Sequence, residues 1–275
     1  MEGNVHNRLA SGFISLNNRQ LFLRTTGNSQ GNKNAILILP PFAEEMNKTR
    51  HLISALMQQL TAAGCNCFML DNFGTGDSEG DLDQASVDIW RNDIQQLIKL
   101  LQQQGYQRLS IIAIRFGALQ LFDLLNNTEL SLQHIVLWQP IFEVKKFWQQ
   151  FARIKVAEAM ASGNKISQKE LEQQLLQGDT LEIAGYPISP EFYQSLLNIK
   201  ASIPSQLSEC KLSWFETSQL DNTAAPVQKM LQQLQQQGDL NFVQLKDEPY
   251  WQTIELANAD KLISLTVQQL VGAQK

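Results

Sequence analysis

Ala113–Gly117 read AIRFG, after the apolar run LSII (109–112) and before ALQLFDLL (118–125). An apolar strand that runs into a tight turn and then a helix is the setting of the pattern G-x-S-x-G, where the turn lifts a serine clear of the sheet. Ala113 and Gly117 hold the two small positions here, and Arg115 stands where the serine would be. The small residues Ala113, Gly117 and Ala118 allow the close strand–helix approach that such a turn needs. The elbow therefore looks sound in shape while lacking its usual chemistry.

On both sides of this stretch the chain repeats one grammar: an apolar-periodic helix, a glycine, then a short buried strand. The units are LISALMQQLTAAG with CNCFMLD (52–71), WRNDIQQLIKLLQQQG with RLSIIAI (90–114), and VQKMLQQLQQQG with LNFVQL (227–245). Gly64, Gly105 and Gly238 fall where a helix end favours a left-handed residue. Strands alternating with helices imply parallel crossovers. AILIL (35–39) reads as a strand covered on both faces, and GFISLNNRQLFLRT (12–25) as a hairpin turning at NNR. LQQQG recurs at 101–105 and 234–238 with unrelated flanks, so it marks helix ends rather than a repeat.

Residues 143–205 break the alternation. VKKFWQQFARIKVAEAMA, SQKELEQQLLQ and GYPISPEFYQSLLNI are amphipathic helical stretches, with a strand suggested only near TLEIAG. An excursion of about sixty residues is too long for a plain loop and reads as a helical cap set within one domain spanning 1–275. Phe147, Trp148 and Phe151 could pack this cap on the core or form an exposed apolar patch.

Composition narrows the function classes. A chain of 275 residues, 43% apolar, can bury a sizeable core. Its net charge of −5, with Lys and Arg gathered in no block, argues against a nucleic-acid binder. No run approaches the ~20 apolar residues of a membrane span, and MEGNVHNRLA lacks the basic and apolar parts of a leader, so the expected location is cytoplasmic. Cys65, Cys67 and Cys210 suggest neither a disulfide framework nor a zinc site, and Cys67 and Cys210 read as small buried hydrophobes in strands. LDNFGTGDSEGD (70–81) turns sharply at three glycines, but it has no P-loop Lys-Ser/Thr and no G-x-G-x-x-G opening a helix. No cofactor or metal is called for.

The hairpin, the strand ending in PPFAEE, the loop DNFGTGDSEGD, the elbow and the helical cap after the next strand together resemble the α/β-hydrolase fold along nearly the whole chain. PPFAEEMNKTR, GTGDSEGD, IRFGAL, LWQP and PYWQTIE are similar to a branch known as exosortase-system-associated hydrolases, bacterial proteins encoded with exopolysaccharide and protein-sorting machinery. An arginine at the elbow is a familiar feature of that branch.

The resemblance implies a nucleophile, a histidine base, a carboxylate and oxyanion donors. Position by position, the set is incomplete. Arg115 cannot attack a carbonyl. The loop where the histidine belongs reads KDEPYWQT, and the three histidines His6, His51 and His134 lie elsewhere. Glu216 and Asp221 are near the acid position and read as loop or capping carboxylates. Ser78 and Ser110 have no histidine nearby. The amides of Phe42 or Ala43 and of Phe116 still converge as donors. Two functions follow: binding of a small anion or a protein partner around Phe42, Ala43, Glu44, Glu45, Arg115 and Phe116, or hydrolysis of an ester, thioester or peptide by non-standard residues. Arg115 is expected to meet a bound anion or one of Glu44, Glu45 and Glu143.

Overall fold

The computed structural model describes residues 9–27, 33–252 and 257–272; His6 lies outside them, as do residues 253–255 of the stretch PYWQTIE. β1 (Gly12–Leu16) and β2 (Arg19–Thr26) form an antiparallel hairpin. Its turn is Asn17-Asn18, both left-handed at φ 50° and 63°, as a two-residue turn matching strand twist requires. Asn17 and Arg19 tie that turn to buried Asp93.

β3 (Asn34–Leu39) is buried at every position and leads into α1 (Glu44–Ala62) and β4 (Asn66–Leu70). α2 (Val87–Gln103), β5 (Arg108–Ile114), α3 (Gly117–Asn127) and β6 (His134–Trp138) follow. The next segment holds α4 (Val144–Ala161), α5 (Gln168–Gln177), a small hairpin of β7 (Leu181–Ile183) and β8 (Tyr186–Ile188), and α6 (Pro190–Leu197). The chain then returns to the sheet through β9 (Lys211–Thr217), α7 (Ala225–Gln235), β10 (Leu240–Leu245) and α8 (Asp260–Gly272).

The eight-stranded sheet runs β1-β2-β4-β3-β5-β6-β9-β10. Every pairing from β4 to β10 is parallel; the hairpin and its junction with β4 are antiparallel. This is the α/β-hydrolase fold. One apolar cluster packs α2 and α3 on one sheet face, and a second packs α1 and α8 on the other. A third joins the start of α3 to α4, α5, α6 and the small hairpin. Phe147, Trp148 and Phe151 belong to that third cluster and are buried, so they form packing and no exposed patch.

Three local readings need correction. Gly64 and Gly105 are left-handed, but Gly238 is not; a Cβ there would stand 3.3 Å from Ser208 Cα, so it is a close-approach glycine. Cys210 precedes β9 and is half-buried, its thiol directed to Leu207 O, whereas Cys67 lies buried in β4. Glu216 is a strand residue in β9, not a loop carboxylate.

The glycine loop is a structural device. A Cβ on Gly76 would sit 2.2 Å from the Asp71 carboxylate, which accepts from the Asp77 amide at 3.0 Å. Ser78 is engaged there too: its hydroxyl accepts from the Phe22 amide at 2.9 Å and donates to Asp71 O.

Candidate functional site

Parallel strands place their carboxyl ends on one side of a sheet, where the loops that follow can share a crevice. Arg115 follows β5 there, in the turn to α3, with a left-handed φ of 55°. Side chains bearing a Cβ seldom adopt that conformation, and it persists because the flanking backbone is pinned. The Arg115 amide donates to Trp138 O at 3.0 Å, and its carbonyl accepts from Ala118 and Ile141. Gly117 makes the turn possible, since a Cβ there would fall 2.3 Å from Leu39 O. Ala43 and Gln139, which follow β3 and β6, are also left-handed, at φ 52° and 40°. Three left-handed non-glycine residues thus border one crevice, the others described, Asn17, Asn18 and Ala184, lying in hairpin turns.

The guanidinium of Arg115 is buried and almost fully occupied. Its Nη2 donates to Glu45 Oε1 at 2.8 Å and its Nε to both Glu45 oxygens at 3.2 Å. Its Nη1 donates to Gln139 O at 3.2 Å, and Gln150 Oε1 is 3.5 Å from Nη2. The ring of Trp251 lies 4.9 Å from the guanidinium carbon, within cation–π range. Arg115 precedes the N-terminus of α3, where the helix dipole disfavours a cation. Glu45, in the first turn of α1, benefits from its own dipole and offsets that conflict.

Of the three acids that the sequence brings toward the elbow, Glu45 makes this pair. Glu44 accepts instead from Asn47 and the Tyr186 hydroxyl, and Glu143 stands just before α4, its side chain making no capping hydrogen bond and no ion pair with Arg115. Phe42 is buried between Phe116, Phe147 and Phe151, with ring centroids 5.1 to 5.5 Å away. Together with Ala43 and Phe116 it borders a space of only about 50 Å³.

Two larger cavities flank the arginine. One of about 270 Å³ is lined by Phe42, Glu45, Phe147, Phe151, Ile154 and Trp251. The other, about 220 Å³, lies between α4 and α7 and is lined by Arg115, Lys146, Trp214, Glu216, Met230 and Trp251. Both touch Ile141, Gln150, Trp251 and Gln252. Glu216 is buried in the second, its Oε2 accepting from Trp214 Nε1 at 2.9 Å. Burial drives its carboxyl up to about 7, against the Trp214 hydrogen bond and the nearby charges of Arg115 and Lys146.

The other candidates are occupied elsewhere. Asp221 pairs with Lys246 on the surface at 2.9 Å. His51 meets Ala257 O at 2.8 Å. His134 contacts Ser213 Oγ at 2.9 Å, but both are buried, and they lie where β6 and β9 begin, at the end of the strands away from Arg115. Desolvation holds that imidazole down to about 4, so it stays neutral. Contrary to the sequence expectation, Ser110 does have a histidine beside it, because parallel pairing of β5 and β6 sets it in register with His134, at that same end away from Arg115. Among the described residues no cluster of His, Cys, Asp and Glu could hold a metal ion, and no helix is long and apolar enough to cross a membrane.

Trp251, Gln139 and Lys146 are the neighbours that sequence reasoning missed. A signal for Trp251 exists: it sits in KDEPYWQT, the loop where the resemblance places a histidine.

No curated protein matches the chain in sequence. Among solved structures, it is similar to Est1E of Butyrivibrio proteoclasticus bound to ferulic acid, at TM-score 0.69 and 12% identity over 96% of this chain and 99% of that one. It is also similar to the esterase EaEST of Exiguobacterium antarcticum, at TM-score 0.60 and 11% identity over 97% and 100%. Mouse alpha/beta hydrolase domain-containing protein 10 matches at TM-score 0.60 and 13% identity over 97% and 100%. At such identities these likenesses speak for the fold alone. The sequence pattern of the family described as serine aminopeptidase, S33, matches residues 30–212, well over half of the 275. The chain therefore belongs to this family of α/β hydrolases.

Proposed function

We propose that this protein is a hydrolase-fold binder whose catalytic triad is degenerate, and that it holds a small anionic ligand, or an acidic segment of a protein partner, in the former active-site cleft. The observation that carries this reading is the set of contacts of Arg115 with Glu45, Gln139 and Trp251. A cation held by a carboxylate and capped by an indole fills the place where a serine would attack. Trp251 fills the region where a histidine would take the proton. Residues 143–205 act as the cap over this cleft within a single domain, and the anion enters beside Arg115 rather than replacing Glu45. The short strings shared with the exosortase-associated branch would connect the ligand to exopolysaccharide or protein-sorting chemistry.

Family membership favours a second reading, hydrolysis by residues outside the usual triad. A chromogenic ester series of increasing acyl length, run beside thermal-shift titrations with small anions, separates the two. Our reading predicts no turnover above buffer and a rise in Tm with anion concentration, because ligands that bind the native state stabilise it by mass action. Turnover that saturates with any ester would overturn it.

A further inference from the structure

The cavity between α4 and α7 has a composition that narrows the ligand. Its walls are apolar at Ile141, Trp214, Val227, Met230 and Trp251. Its outer edge is basic: the hollows adjoining it are lined by Lys145, Lys146, Arg153 and Lys229, with Glu143 the one acid among the described lining residues. None of these four bases is in an ion pair with a described residue. In a chain of net charge −5 this grouping runs against the average and creates a local field that draws anions toward the mouth.

Inside stands Glu216, nine-tenths buried, with one carboxyl oxygen held by Trp214 and the other accepting from no described residue. The charged groups around it are Arg115 from the elbow and Lys146 and Glu143 from the start of α4; α7 presents the uncharged Pro226, Val227 and Met230, and β10 pairs it with Gln244. Ionised, this carboxylate would repel an incoming anion. Protonated, it donates a hydrogen bond to one.

We propose that this cavity binds a small monoanion with an apolar body, of the size of hexanoate, and that Glu216 takes up a proton as the anion enters. The inference rests on the reading of the cleft as an anion site and adds its ligand class and its proton. The buried position of Glu216, which moves its titration to about 7, makes that proton available near neutrality. The anion contacts the protonated carboxyl while its apolar part lies along Met230 and Trp251. Lys146 balances its charge.

The test is calorimetric titration of hexanoate into the full chain between about pH 6 and pH 8, in two buffers of different ionisation enthalpy; linkage predicts a Kd rising toward tenfold per pH unit above about 7. Net proton uptake should appear as a buffer-dependent binding enthalpy. Glu216→Gln should bind hexanoate with a flat pH profile, and Lys146→Met should weaken binding several-fold while keeping the wild-type slope. Should Glu216→Gln fail to fold, the buffer dependence of wild-type binding decides. Hexanol binding as tightly as hexanoate, or a pH-independent wild-type Kd without proton uptake, overturns the inference. If inorganic phosphate binds and hexanoate does not, this inference fails and the anion-site reading stands. Ester turnover by the wild type removes both.

Discussion

Arg115 Nη2 and Glu45 Oε1 meet at 2.8 Å across 70 residues of sequence, joining the turn after β5 to the first turn of α1. The arginine side chain is 7% exposed and the glutamate 26%, so the pair is sheltered on one side and wetted on the other. Its energetic value lies between that of a buried and a surface pair.

Arg115→Ser should therefore create no esterase, because no described histidine stands near the new hydroxyl. It should lower stability by about 1–3 kcal/mol, less than for a fully buried pair, since water reaches the Glu45 carboxylate left behind. Urea unfolding and an ester assay on the same preparation check both halves.

Trp251→Ala removes a buried indole and the aromatic face against Arg115. Loss of packing at such a site costs about 3–5 kcal/mol, with roughly another 0.5–2 kcal/mol from the cation–π contact. A double-mutant cycle with Arg115→Met isolates the contact: a coupling near zero would show that Trp251 only fills space.

Much of this architecture was legible beforehand, and for physical reasons. The fully buried β3, the paired asparagines of the hairpin and the alanine–glycine spacing around Arg115 each answer to a local constraint that the chain must satisfy on its own. The partners of Arg115 do not. Glu45 and Glu44 are adjacent and equally acidic, yet Glu45 pairs with Arg115 while Glu44 accepts from Tyr186, a division set by tertiary packing. Trp251 reaches the site from a loop beyond β10, a placement decided by tertiary packing with no periodic signal. Glu216 reads as an ordinary acid in the sequence because its depth depends on the tertiary placement of α4 and α7 on either side of its cavity.

Gly117→Ala tests the elbow itself. The added methyl meets Leu39 O at 2.3 Å, a backbone atom that cannot swing aside. A loss of about 1–3 kcal/mol or more is expected, from overpacking at the junction of strand and helix. Gly105→Ala, where no atom lies within 4 Å but φ is +90°, should cost only about 1 kcal/mol, through backbone strain. Equal losses at the two positions would contradict the close approach of α3 to β3.

Glu216 predicts a pH dependence of known sign. Its carboxyl is raised from 4.5 to about 7 in the folded protein, so the native state binds more protons than the unfolded one between those values. The stabilising contribution is full below about 4.5 and is lost as pH rises through about 7. Glu216→Gln, whose amide oxygen can still accept from Trp214, should match the wild type near pH 4.5 and exceed it at about pH 8, by up to roughly 3 kcal/mol. Melting curves across that range give the difference directly, and a constant offset at all pH values would refute the assignment.

The central claim is that the elbow carries no serine nucleophile in working order. Incubating the full chain with a fluorophosphonate probe and weighing the intact protein by mass spectrometry tests it most directly. The account predicts unmodified mass under conditions that label a reference serine esterase to completion; a stoichiometric adduct mapped to any serine of this chain would contradict it.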